Sequence, residues 1–109
     1  MTEGSEVAIQ GAVVVLVGEE RRTFVVTVRT PAGHEHRFRV NDNQRVEVLT
    51  RRAVEYFVAH GELADGRYHL ALLRDGEALD LHPASRLGDY DVVEGDVLVL
   101  IVGDPQVDG

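Results

Sequence analysis

The chain of 109 residues has no cysteine and no lysine. Without cysteine there is no disulfide, no thiolate zinc site and no cysteine nucleophile. A reducing, cytoplasmic setting fits that composition. All 11 basic side chains are arginine, and two readings of this stay open. A GC-rich genome replaces Lys codons with Arg codons. Alternatively, primary amines are kept off a surface that is handled by enzymes joining things to amines, because arginine keeps the charge without offering a nucleophilic amine. Apolar runs stop at six residues, in Ala12–Val17 and Val97–Val102, against the roughly 20 that a helix needs to span a bilayer. The opening MTEGSE is acidic and lacks a basic n-region, so no signal peptide is expected. Basic charge is scarce too: 19 acidic residues against 11 basic ones leave a net charge of −8. A nucleic-acid groove is therefore not expected, and the acidic excess favours solubility.

Reactive groups are also sparse. Ser5 and Ser85 are the only serines, and neither sits in a nucleophile elbow. Phosphate-cradling glycine motifs are missing. His34, His36, His60, His69 and His82 offer one close pair and no third convergent ligand, whereas a metal site needs three or four. They are expected to be solvated turn residues. No catalytic residue, metal or cofactor is expected.

What is present is a fold signature centred on Arg86–Val102. Leu87-Gly88-Asp89-Tyr90 is a tight corner, Glu94-Gly95-Asp96 a turn, and Val97–Val102 an unbroken, mostly β-branched run. Such a run reads as a buried strand with neighbours on both sides. Earlier in the chain, Phe24, Val26 and Val28 share one face of a strand by period two. Pro31-Ala32-Gly33-His34-Glu35 is a hairpin turn, and His36–Val40 places Phe38 and Val40 inward with Arg37 and Arg39 outward. Asn41-Asp42-Asn43 is a helix-cap signal. A helix is expected from about Arg45 to His60, with Val46, Leu49, Ala53 and Phe57 as its apolar stripe and Gly61 after its end. Tyr68–Leu73 is a strand, Leu79 and Leu81 mark a short one, and Pro83 ends it. The predicted class is α+β: a mixed four- to five-stranded sheet with one helix packed on one face, plus an extra N-terminal strand. One helix covers one sheet face, so the other meets solvent.

From Phe24 to Val102 the chain resembles ubiquitin and the ubiquitin-like β-grasp family. Phe24–Val40 matches the first hairpin, including Gly33, and Leu87-Gly88-Asp89-Tyr90-Asp91-Val92 is similar to the family's Leu-Ser-Asp-Tyr-Asn-Ile corner. Three parts follow: an extension over 1–23, the β-grasp domain over 24–102 and a tail over 103–109. The extension has no counterpart in the family. The tail lacks the family's paired Arg and double Gly, and the chain-building Lys positions are absent.

The resemblance implies a bacterial ubiquitin-like modifier that is not itself an enzyme. Its Gly109 carboxylate would be activated with ATP by an activating enzyme, passed to a conjugating enzyme, joined to a target protein and released by a deconjugating protease. It also implies a partner-binding patch on the open face: Pro31, Leu73 or its neighbour Leu72, Val99 and Ile101. The alternative is a non-conjugated interaction module of the kind associated with type VII secretion. A sulfur carrier fits less well, because that family ends in Gly-Gly. Val13, Val15 and Val17, left exposed, would be an aggregation hazard. They are expected to add to the sheet edge, to cover the open face or to pair between two copies.

Overall fold

The structure, a computed structural model, describes residues 23–106. The expectations placed on Val13, Val15, Val17 and Gly109 lie outside the described residues.

Strands β1 (Thr23–Arg29) and β2 (Glu35–Asn41) form the expected antiparallel hairpin, with Val26 opposite Phe38 and Phe24 opposite Val40. Val26, Val28, Phe38 and Val40 are buried, so the period-two pattern sets the inward face. The turn closes through Thr30 N–H to His34 O at 2.8 Å and Gly33 N–H to Thr30 O at 2.9 Å. Gly33 takes a φ of 97°, which a side chain would disfavour.

Helix α1 (Val46–Ala59) buries Val46, Leu49, Ala53 and Phe57, the stripe that its spacing predicts. Each of Val46, Leu49 and Phe57 contributes about 1.5–3 kcal/mol by leaving water. The helix ends in a Schellman motif. Gly61 has φ 70°, its N–H donates to Val58 O, and Glu62 N–H donates to Phe57 O. The start differs from expectation. Asn41 Oδ1 accepts Asn43 N–H at 2.9 Å in a turn of its own, and the N-cap position falls on Arg45, which makes no side-chain cap bond. The first helical donors are satisfied from a distance: Val46 N–H donates to Ser85 O at 2.8 Å and Glu47 N–H to Pro83 O at 2.9 Å. Tertiary carbonyls take the place that a local cap would have filled.

Strands β3 (Tyr68–Arg74) and β4 (Glu77–Asp80), a 3-10 helix (Leu87–Tyr90) and β5 (Val97–Val102) complete the fold. The sheet order is β2-β1-β5-β3-β4. β5 runs parallel to β1 and antiparallel to β3, so the apolar run does have a neighbour on each side. Leu81 falls just beyond the short strand, is fully buried and donates its N–H to Leu70 O. The 3-10 helix is pinned to the approach to α1 through Leu87 N–H to Gln44 O and Gly88 N–H to Asp42 O. The core lies between α1 and one face of the sheet, with Leu70, Leu72, Leu87, Leu98 and Leu100 packed against Val26, Leu49 and Phe57.

Candidate partner-binding face and C-terminal strap

The helix-side parity of Leu98 and Leu100 turns Val97, Val99 and Ile101 to the opposite face. The register adds β3 beside them: Leu73 pairs with Val97, Ala71 with Val99 and His69 with Ile101. On the other flank, Thr27 pairs with Val97 and Arg29 with Val99. Val97, Val99, Ile101 and Leu73 are half-buried, and Ala71 is buried. An apolar strip two strands wide thus crosses the face away from the helix. A charged margin borders it on β1 and β2. There Arg29 Nε meets Glu35 Oε2 at 2.7 Å, and Arg37 and Arg39 are exposed. Pro31 is exposed in the hairpin turn.

Leu73, Val99 and Ile101 therefore share one surface, as the patch reading requires. Leu72 does not belong to it. It is 1% exposed and packs in the core, because it sits on the helix-side parity of β3 with Leu70. Its pairing with Leu79 leaves no route to the open face.

At the end of the sheet the chain folds back. Gly103 N–H donates to Arg67 O at 2.8 Å, and the Gly103 carbonyl lies 2.8 Å from His69 Nδ1. The Arg67 guanidinium meets Asp104 at 3.1 Å, and Gln106 N–H donates to Asp80 Oδ2 at 2.8 Å. These contacts carry residues 103–106 from the end of β5, past the start of β3, to the end of β4. A groove of about 340 Å³ lies between this segment and α1, with Val54, Tyr68, Leu81 and Pro83 in its walls.

Three histidines are more than solvated turn residues, because each packs against another part of the fold. His69 is 5% exposed. His36 is half-buried, stacked on Tyr56 with ring centroids 3.9 Å apart, and His60 packs against Tyr56 at 4.1 Å. Among the described residues no three His, Asp or Glu side chains converge as metal ligands, and no helix is long and apolar enough to cross a membrane. The His69–Asp80 contact and the folded-back segment had no local signal in the sequence, since their partners stand 11 to 37 positions apart.

Comparison with protein-family models and with curated protein sequences finds no match. Solved structures do match. A de novo design based on ubiquitin is 21% identical with a TM-score of 0.54, over 80% of this chain and 93% of the design. The ubiquitin-like domain of an Arabidopsis thaliana protein is 18% identical with a TM-score of 0.54, over 83% of this chain and 87% of that domain. A ubiquitin-like protein from Trypanosoma brucei is 21% identical with a TM-score of 0.55, over 75% of this chain and 96% of that protein. With the mixed five-stranded sheet and its single helix, these likenesses show that the chain has the ubiquitin-like β-grasp fold.

Proposed function

We propose that this chain works by binding other proteins through the open face of its sheet, with no reaction of its own. The observation that carries this reading is the apolar strip of Leu73, Val97, Val99 and Ile101, aligned by the β3–β5 register. A contiguous apolar surface rimmed by charge is typical of a protein interface. The strip would supply the desolvated centre, and Arg29, Arg37 and Arg39 a polar rim. The test is partner capture with the full chain, comparing wild type with Leu73→Asp and Ile101→Asp. Proteins bound by wild type and lost in both variants, with the fold retained, support the reading. Equal capture by all three removes it.

A second reading adds conjugation. The fold and Gly109 together favour a protein modifier whose Gly109 carboxylate is activated by an ATP-dependent enzyme and transferred to a target. Glycine suits a reacting tail, because a side chain would clash in a narrow channel, and the absence of lysine would prevent Lys-linked self-conjugation. The bacterial and cytoplasmic setting belongs to this reading. Mass spectrometry of the protein from its native host tests it. Gly109 found in an amide, ester or thioester bond to another protein establishes conjugation. Free protein with an intact Gly109, under conditions where it is active, leaves binding alone.

A further inference from the structure

We propose that Asp65 is a self-modifying site: in the folded chain its side-chain carboxyl cyclises onto the Gly66 nitrogen, and water reopens the ring to isoaspartate.

Among the described residues Asp-Gly occurs twice, at Asp65-Gly66 before β3 and at Asp75-Gly76 between β3 and β4. All four residues are exposed, so water reaches both pairs. Glycine favours this cyclisation equally in both, because no side chain crowds the attacking nitrogen. Sequence and access leave the two pairs alike, and geometry separates them.

At the first pair Gly66 N–H donates to Asp65 Oδ1 at 3.0 Å. The ring to be closed consists of the Gly66 nitrogen and the carbonyl carbon, Cα, Cβ and Cγ of Asp65. Closing it needs Cβ turned to the same side of the Cα–C bond as that nitrogen. A hydrogen bond from the nitrogen to this carboxyl needs the same turn. The amide proton already points at the carboxyl, and its loss leaves the in-plane lone pair pointing there. Rotation about Cβ–Cγ then presents Cγ, which makes this a near-attack arrangement. The chain is fastened on either side of it. The Tyr68 hydroxyl donates to Ala64 O at 2.7 Å, and Arg67 O accepts Gly103 N–H at 2.8 Å.

The second pair is built differently. Arg74 pairs with Glu77, which leaves Asp75 and Gly76 as a two-residue turn with φ of 52° and 79°. Positive φ at both positions is the mark of a type I′ turn, in which the first residue has ψ of about +30°. That ψ swings the Asp75 Cβ away from the Gly76 nitrogen, so ring closure there has to undo the turn.

The chemistry needs no oxidant or cofactor. The N–Cγ bond forms, the N–H bond and the C–OH bond of the neutral carboxyl break, and one water leaves. Water then adds to the cyclic imide. Opening at the side-chain carbonyl restores Asp65. Opening at the main-chain carbonyl gives isoaspartate, with one extra main-chain atom and a free α-carboxylate just before Gly66.

Incubation of the full chain at mildly acidic pH, followed by peptide mapping with electron-transfer fragmentation, tests this, since that fragmentation distinguishes isoaspartate from aspartate. In the folded chain isoaspartate should accumulate at Asp65 about tenfold or more faster than at Asp75. In urea, where the geometry is gone, the two rates should agree within about twofold. Equal rates in the folded chain, or a faster Asp75, overturn the proposal. A difference that persists unchanged in urea overturns it too, because it would then come from the neighbouring sequence and not from the fold.

Discussion

The Tyr90 hydroxyl accepts the backbone N–H of His82 at 2.9 Å. This bond ties the 3-10 helix to the chain leaving β4, where the last sheet-like bond is Leu81 N–H to Leu70 O. The Tyr90 ring packs against the core while its oxygen serves the backbone. Tyr90→Phe keeps the ring and strands a partly buried donor. The expected loss is about 1 kcal/mol, read from urea denaturation at unchanged m-value.

Neighbouring leucines on β3 should behave oppositely. Leu72 is 1% exposed and in the core, so Leu72→Ala should cost about 2–5 kcal/mol, transfer and cavity together. Leu73 lies on the open face and is half-buried. Leu73→Ala should cost under about 1 kcal/mol in stability and act on partner binding instead. Denaturation of the two variants side by side checks this, and equal losses would contradict the assigned parity.

Gly61 closes α1 in the left-handed region at φ 70° with no neighbour within 4 Å of an added Cβ. The position is sterically open, so any penalty comes from backbone conformation alone. Gly61→Ala should destabilise by about 1 kcal/mol. Gly61→Asn should lose less, because Asn tolerates this region. A thermal melt of the three proteins ranks them as Gly, Asn, Ala from most to least stable.

Some of this architecture was legible in the residues, and the reasons differ by element. The stripe Val46, Leu49, Ala53 and Phe57 was readable because a helix repeats every 3.6 residues and polar positions interrupt it. The β1 and β2 faces were readable because apolar and polar residues alternate. Leu70-Ala71-Leu72-Leu73 has no alternation, so the sequence leaves open whether Leu72 or Leu73 faces outward; the register with β5 decides. The start of α1 departs from the sequence signal because Asn41 and Asn43 form a sound local turn, while the helix donors are met by Pro83 and Ser85 carbonyls 36 and 39 residues away. The folded-back segment was invisible for the same reason. His69 and Asp80 are ordinary residues until β3 and β4 bring them together, and nothing near either one announces Gly103 or Gln106.

Arg74 should prove to be the main tie between the sheet and the loop before β5. Its guanidinium donates to Asp91 O at 2.6 Å and Tyr90 O at 3.3 Å, gathering carbonyls at the end of the 3-10 helix, where negative partial charge collects. The same group meets Asp96 Oδ2 at 3.0 Å, and that oxygen also accepts Val93 N–H at 2.9 Å. Asp91 sits there in the left-handed region at φ 55°, so the turn depends on being held. Arg74→Lys keeps the charge but loses the fork that reaches three oxygens, and about 1 kcal/mol of stability should go with it. A double-mutant cycle of Arg74→Ala and Asp96→Ala should give a coupling of about 0.5–1 kcal/mol. It should be no larger, because Arg74 is 44% accessible and water screens the pair. Most of the cost of Arg74→Ala should therefore survive in the Asp96→Ala background, which would place the tie in the carbonyl contacts and not in the ion pair. A coupling equal to the whole Arg74→Ala loss would reverse that assignment.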